Sequence, residues 1–324
     1  MVNYEGPQLA LLRANNNAIL IGYATFIEGY GYPLICCEPV DRYLDAYLRG
    51  KLELRVVFER TPKVRLYVVD VASTEADLPL KRVPTENYLP EHGIFSTVHT
   101  HPLVAGDTSK AYRQRFLIDG IWEARDFSRF HGRLADAYSL QSIARNLTEG
   151  TTSVLDEVFL KASISNREWQ GGGSYLSFYG GVKEHLQSVH PLRVAAIEYH
   201  SPGYVEVEGS EEGLIEVANA IQKVISSRDD YMQIYGAIRK ALRNEGLLAA
   251  DKSMEFSAEV VRDYVLKQTD KLADMLGLPN SHLLLIACEK NVGVYAKLVL
   301  SYFRRINGIA TFYLEGRARN PDAV

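Results

Sequence analysis

The stretch "VGVYAKLVLSYFRRINGIA" (292–310) decides most about this fold. Its apolar residues leave no broad polar face on a helical wheel, so a helix here must be buried on nearly all sides. It belongs either to the core of its own domain or to a subunit interface. The expected helix runs over about 282–306 and closes on Arg304 and Arg305. Their charges suit the negative end of the helix dipole. Together with Arg317 and Arg319 of the basic tail "EGRARN" they are also candidate nucleic-acid contacts, provided the four arginines cluster.

Upstream, helices are expected over 229–244 and 255–276, the second ending at Gly277 with Pro279 beyond. Ser210 stands before "EEGLIEVANAIQKVI" (211–225), where acids in the first turn suit the exposed amides and the dipole. Before that, "PLRVAAIEYHSPGYVEVEGS" (191–210) reads as two strands around a Pro-Gly turn. The glycine-rich "REWQGGGSYLSFYGG" (167–181) reads as linker and boundary. No Lys-Ser/Thr follows its triple glycine, as a phosphate-cradling loop would need.

The front of the chain is β-rich. Residues 8–13 and 18–26 flank the turn-forming "ANNN", and "YPLICCE" follows as a third strand in which Cys36 and Cys37 face opposite ways. "PVDRYLDAYLRG" (39–50) is one short amphipathic helix with Gly50 as its cap. "LELRVVFE" (52–59) and "KVRLYVVDV" (63–71) read as a hairpin, and "GIFSTVHT" (93–100) as a further strand. From 113 to 147, Phe116, Ile121, Phe127, Phe130, Leu134, Tyr138, Leu140 and Ile143 recur at helical spacing.

The expected class is therefore α+β in three parts. These are a small, mainly antiparallel β domain over 1–112, a helical bridge and linker over 113–170, and a helix-rich α+β domain over 171–324. A chain of 324 residues suits two domains. A net charge of −4 argues against a strongly basic nucleic-acid binder, although a local basic face is compatible with it. No run is long and apolar enough for a membrane helix and the N-terminus lacks a secretion signal, so the expected location is cytoplasmic. Three cysteines, Cys36, Cys37 and Cys288, form neither a disulfide framework nor a zinc knuckle.

Two short stretches carry candidate chemistry. In "TVHTHPLVAGDTSKAY" (97–112), His99, His101 and Ser109 resemble the JAMM metalloprotease motif H-x-H-P-x6-S-x-x-D. That resemblance implies zinc on the two histidines and an aspartate, with the serine supporting the oxyanion and an upstream glutamate as base. Tyr112 stands where the ligand aspartate belongs, so a working site would need Asp107 or Asp119 instead, with Glu53 or Glu59 upstream. In "RDFSRFH", Arg125 and His131 have a spacing similar to the R-x(4–6)-H of HEPN ribonucleases, which implies action on an RNA 2′-hydroxyl. Arg193 and His200 repeat the spacing on a predicted strand.

Three longer stretches, "YLRGKLELRVVF" (47–58), "IEYHSPGYVEVEG" (197–209) and "AKLVLSYFRRINGIA" (296–310), are similar to a bacterial family of unknown function. Some members are associated with phage-defence or mobile gene neighbourhoods. The resemblance implies a bacterial cytosolic protein and carries over no active site. With no complete catalytic set and twenty tyrosines, which suit interfaces, the reading is a non-catalytic binding or regulatory protein without a cofactor. A protein partner or self-association is expected. The alternatives are a zinc hydrolase on His99 and His101, a ribonuclease on Arg125 and His131, and a nucleic-acid-binding accessory protein.

Overall fold

The computed structural model describes residues 9–13, 19–24, 33–69, 81–82, 89–96, 112–148, 160, 162–164, 172–186, 191–248 and 255–319. The class is α+β, with a small antiparallel sheet near the N-terminus and a helix-rich remainder. The chain divides into two compact units, residues 1–107 and 108–324.

In the first unit, strands β1 (Leu9–Arg13), β2 (Ile19–Ala24), β3 (Leu34–Cys37), β4 (Leu66–Val69) and β5 (Lys81–Arg82) form an antiparallel sheet in chain order. Cys36 and Cys37 do point to opposite faces. Cys37 packs with Ile21, Ile35 and Phe58, while Cys36 packs with Leu20, Leu34 and Val69. Burial pushes both thiols up to about 12, which leaves them without nucleophilic thiolate at neutral pH. Gly22 sits opposite Cys36, and a Cβ there would lie 2.6 Å from the Cys36 sulfur.

Helix α1 (Asp41–Leu48) ends as expected, with Gly50 at φ +67°. The expected hairpin over 52–71 does not form, because Leu54–Glu59 is a helix, α2. Leu54, Val57 and Phe58 lie three and four residues apart and are fully buried, so the helical period outweighs the β-branched valines. The described part of the strand expected over 93–100 is not strand either. Ser96 donates to the carbonyl oxygens of Tyr47 (2.5 Å) and Leu48 (3.0 Å) at the end of α1.

In the second unit, β6 (Tyr112–Ile118), β7 (Arg193–Glu198), β8 (Gly203–Gly209) and β9 (Ala318–Arg319) make an antiparallel sheet in the order β7-β8-β6-β9. Phe116, Ile118, Val205 and Val207 face the core. Arg113 and Arg115 pair across to Glu208 and Glu206 on the other face. Helices α3 (Ala124–Thr148), α4 (Gly172–Leu186), α5 (Glu211–Ser226), α6 (Arg228–Asn244), α7 (Glu259–Leu276), α8 (Ser281–Ala287) and α9 (Val292–Leu314) complete it.

The segment expected to bridge two domains lies inside this unit. Its first part is strand β6, where Phe116 and Ile118 follow the two-residue period rather than the helical one. Its second part, α3, packs on α4, α5 and α9. The expected linker at 167–181 is in large part helix α4, since Phe178, Tyr179, Val182 and Leu186 bury at helical spacing and override its glycines. Ser210 caps α5 by accepting from the Gly213 amide at 3.3 Å, and Gly277 closes α7 in the left-handed region, both as expected.

The single helix expected over 282–306 is two helices. Glu289 and Lys290 adopt positive φ, and Asn291 caps α9 by accepting from the Val294 amide at 3.0 Å. Helix α9 then runs on to Leu314, which leaves Arg304 and Arg305 in mid-helix rather than at its end. Seventeen of its 23 residues are buried, within its own unit and against α3, α5 and α7. Among the described residues no helix is long and apolar enough to cross a membrane.

Truncating the middle of α9 by Leu298→Ala should cost about 2–5 kcal/mol in urea unfolding, since Leu298 is wholly buried. Leu314→Ala, at an exposed position on the same helix, should stay within about 0.5 kcal/mol of the parent. Equal effects would contradict the burial of α9.

Candidate functional site: a basic cluster on three helices

Helices α3, α4 and α9 bring together a group of charged and aromatic side chains. On α3, Arg129, Arg133 and Asp136 follow one another at spacings of four and three, so they share a face. Asp136 is nearly buried. Its Oδ1 accepts from Lys183 Nζ of α4 at 2.8 Å, and its Oδ2 accepts from Arg305 Nε of α9 at 2.7 Å. Arg305 also donates to the Ser301 carbonyl at 3.1 Å and lies 3.6 Å above the ring of Tyr179. The Tyr179 hydroxyl is 3.0 Å from Ser301 Oγ.

Around this centre lie further cations. Arg133 donates to the Gly308 carbonyl at 2.9 Å, and a Cβ at 308 would come within 2.6 Å of its guanidinium carbon. Glycine at this position therefore lets the arginine lie flat against α9. Arg304 stacks 4.8 Å from the ring centre of Tyr175. Among the described residues, Asp136 is the one carboxylate paired with any of Arg129, Arg133, Lys183, Arg304 and Arg305.

The crowding of positive charge is visible in the titration of the group. Burial lowers the Arg133 pKa from its ordinary value, and the neighbouring charges of Arg129 and Arg305 lower it further. Burial, then the Lys183 ammonium, lowers that of His131. The Nδ1 of His131 is buried and has no hydrogen-bond partner among the described residues. Burial raises the Tyr179 phenol, with Arg305 acting in the opposite direction. A half-buried site with surplus cations and unused donors is suited to an anion.

The candidates read from the sequence are reassorted. Arg305 enters the cluster through Asp136, while His131 lies close enough to feel the charge of Lys183. Arg125 does not enter it. It lies exposed in the first turn of α3, 3.8 Å from Glu123. His131 is six residues farther along an unbroken helix, about 9 Å in rise and two-thirds of a turn out of phase. The expected Arg–His pair is therefore not formed. Arg193 sits on β7, while His200 Nε2 is 2.6 Å from Glu198.

The four arginines expected to cluster do not. Arg317 donates to Asp126 at 2.6 Å and to the Ile121 carbonyl at 2.9 Å, beside Trp122 and Phe312, at the first turn of α3 and ten residues before Asp136. Arg319 lies in β9, opposite Leu117. Arg304 and Arg305 lie about three turns of helix away from them.

His99, His101, Asp107 and Ser109 lie outside the described residues. Of the residues proposed to complete a zinc site, Tyr112 opens β6 opposite Gly209. Asp119 accepts from the Gly120 amide and Ser201, and Glu53 accepts from the Gly93 amide and lies 3.0 Å from His92. Glu59 accepts from Arg55. Among the described residues no three of His, Cys, Asp and Glu are grouped to hold a metal.

Replacing Asp136 by Asn should cost about 2–3 kcal/mol, because Arg305 loses its counter-charge in a nearly buried position while the more exposed Lys183 is rescued by water. A loss below about 0.5 kcal/mol would contradict the bridge. His131 makes a pH prediction. The unfolded chain takes up its proton near pH 6.5, whereas the folded one resists until lower pH, so its contribution to stability is complete above about 6.5 and declines as pH falls. His131→Gln should flatten that acid limb in urea titrations between pH 7.5 and 5.5. An unchanged limb would contradict the burial of the ring beside Lys183.

No family model matches the chain, and neither curated proteins nor solved structures give a match, so its assignment rests on the chemistry of the cluster.

Proposed function

We propose that the chain is a non-catalytic binding protein whose larger unit holds a phosphate-bearing ligand at the α3–α4–α9 cluster. The observation that carries this reading is the imbalance of Arg129, Arg133, Lys183, Arg304 and Arg305 against Asp136, the one carboxylate paired with any of them among the described residues. In a chain of net charge −4, such a concentration on three helices runs against the average composition. Surface helices ordinarily offset their arginines with acids one turn away, as Arg49 and Arg55 do here with Asp45 and Glu59. The cluster leaves that offset to a ligand.

The donor chemistry fits phosphate. Guanidinium forks match its planar pairs of oxygens, and Lys183 has hydrogens beyond the one given to Asp136. Partial burial strengthens each contact relative to open water.

A second reading, in which His131 acts as acid–base group on RNA, is favoured only by its uncharged ring beside Lys183. It lacks the arginine partner expected from the sequence.

Calorimetry with inorganic phosphate in low-chloride buffer tests the proposal. One site per chain is expected, weakened at least tenfold in Arg133→Gln/Lys183→Gln and unchanged in Arg317→Gln, whose arginine is already neutralised. Equal binding by the double variant, or none by the parent, would refute it. RNA cleavage by the parent that His131→Gln abolishes would replace it with the ribonuclease reading.

A further inference from the structure

Resting on the proposed phosphate site, we infer that its ligand carries several phosphates linked in a compact chain, of the class of a nucleoside triphosphate tail, rather than one phosphate or a nucleic-acid strand. Charge supports this. Among the described residues, five cations less the one carboxylate paired with them leave four positive charges. A single phosphate monoester brings about two negative charges, which leaves half the surplus unmatched. A triphosphate tail brings about twice that.

The placement of the cations agrees. They come from three helices, with Arg129 and Arg133 about 6 Å apart in rise on α3, Lys183 on α4, and Arg304 and Arg305 on α9. A single tetrahedral phosphate has too few oxygens to take a forked contact from each of four arginines as well as Lys183, whereas consecutive phosphates in a chain can. The inner groups, Arg133, Lys183 and Arg305, are half-buried, while Arg129 and Arg304 at the margin are exposed. The donors thus grade from an anchored centre to an exposed rim.

A nucleic-acid strand asks for a different surface, a basic track that continues across the molecule. Here the basic surface stops toward the first turn of α3, where Glu123, Asp126 and Glu315 gather around Arg125 and Arg317. Arg317, which would have prolonged a track, is tied to Asp126.

The test is calorimetry with inorganic tripolyphosphate, orthophosphate and a single-stranded oligonucleotide at one ionic strength, with chelator present. Tripolyphosphate should bind at least thirtyfold more tightly than orthophosphate. Arg129→Gln/Arg304→Gln should weaken tripolyphosphate at least tenfold more than it weakens orthophosphate. Tripolyphosphate and orthophosphate affinities within threefold of each other would overturn the inference while leaving a phosphate site in place. So would tighter binding of the oligonucleotide than of tripolyphosphate. Failure of every anion to bind would overturn the proposed function and this inference with it.

Discussion

Burial of α9 is the constraint on which the larger unit depends. A helix with so little exposed surface places its polar side chains inside the protein, and each must find a partner there. Arg305 finds Asp136 and the Ser301 carbonyl, and Ser301 finds Tyr179. Tyr302 donates to Gln141 at 3.0 Å, and the Gln141 amide donates in turn to Glu216 and the Gly277 carbonyl, both at 3.0 Å. Two residues of α3, Asp136 and Gln141, therefore fix its register against α9. The apolar contacts around them supply most of the energy, and the polar ties select one arrangement among many of similar burial.

The two carboxylates of α3 that meet arginines from the C-terminal segment make a useful contrast. Asp126 holds Arg317, and that arginine keeps the Asp126 carboxyl below its usual range. With Arg317 also bonded to a backbone carbonyl and flanked by Trp122 and Phe312, the pair is complete in itself. Asp136, by contrast, serves both Arg305 and Lys183, with Arg133 and Arg129 one and two turns before it on the same helix. The first turn of α3 is a closed structural clasp, and its middle is left short of negative charge. That asymmetry is what separates a structural ion pair from a candidate binding site.

Much of the fold was legible wherever one physical signal acted alone. The burial of α9, the Ser210 cap, the left-handed Gly277 and the opposed cysteines each follow from local pattern. Where two signals competed, the reading failed. Valine-rich α2 looked like a strand, yet Leu54, Val57 and Phe58 had a single helical face to bury. Phe116 fitted a helical period because only five residues separate strand β6 from α3. The candidate site was half visible. His131, Arg304 and Arg305 stood out by type, but Asp136, Lys183 and Gly308 acquire meaning only once three helices distant in sequence are packed together. The spacing of Arg129, Arg133 and Asp136 was a local signal for Asp136 alone.

The surplus of positive charge around Asp136 is the centre of this account, and arginine side-chain NMR reports on it most directly. Titrating inorganic phosphate while following the Nε–Hε resonances should shift those of Arg133 and Arg129 saturably and leave that of Arg317 in place. Shifts of Arg317 as large as those of Arg133, or none at any arginine of α3 and α9, would contradict it.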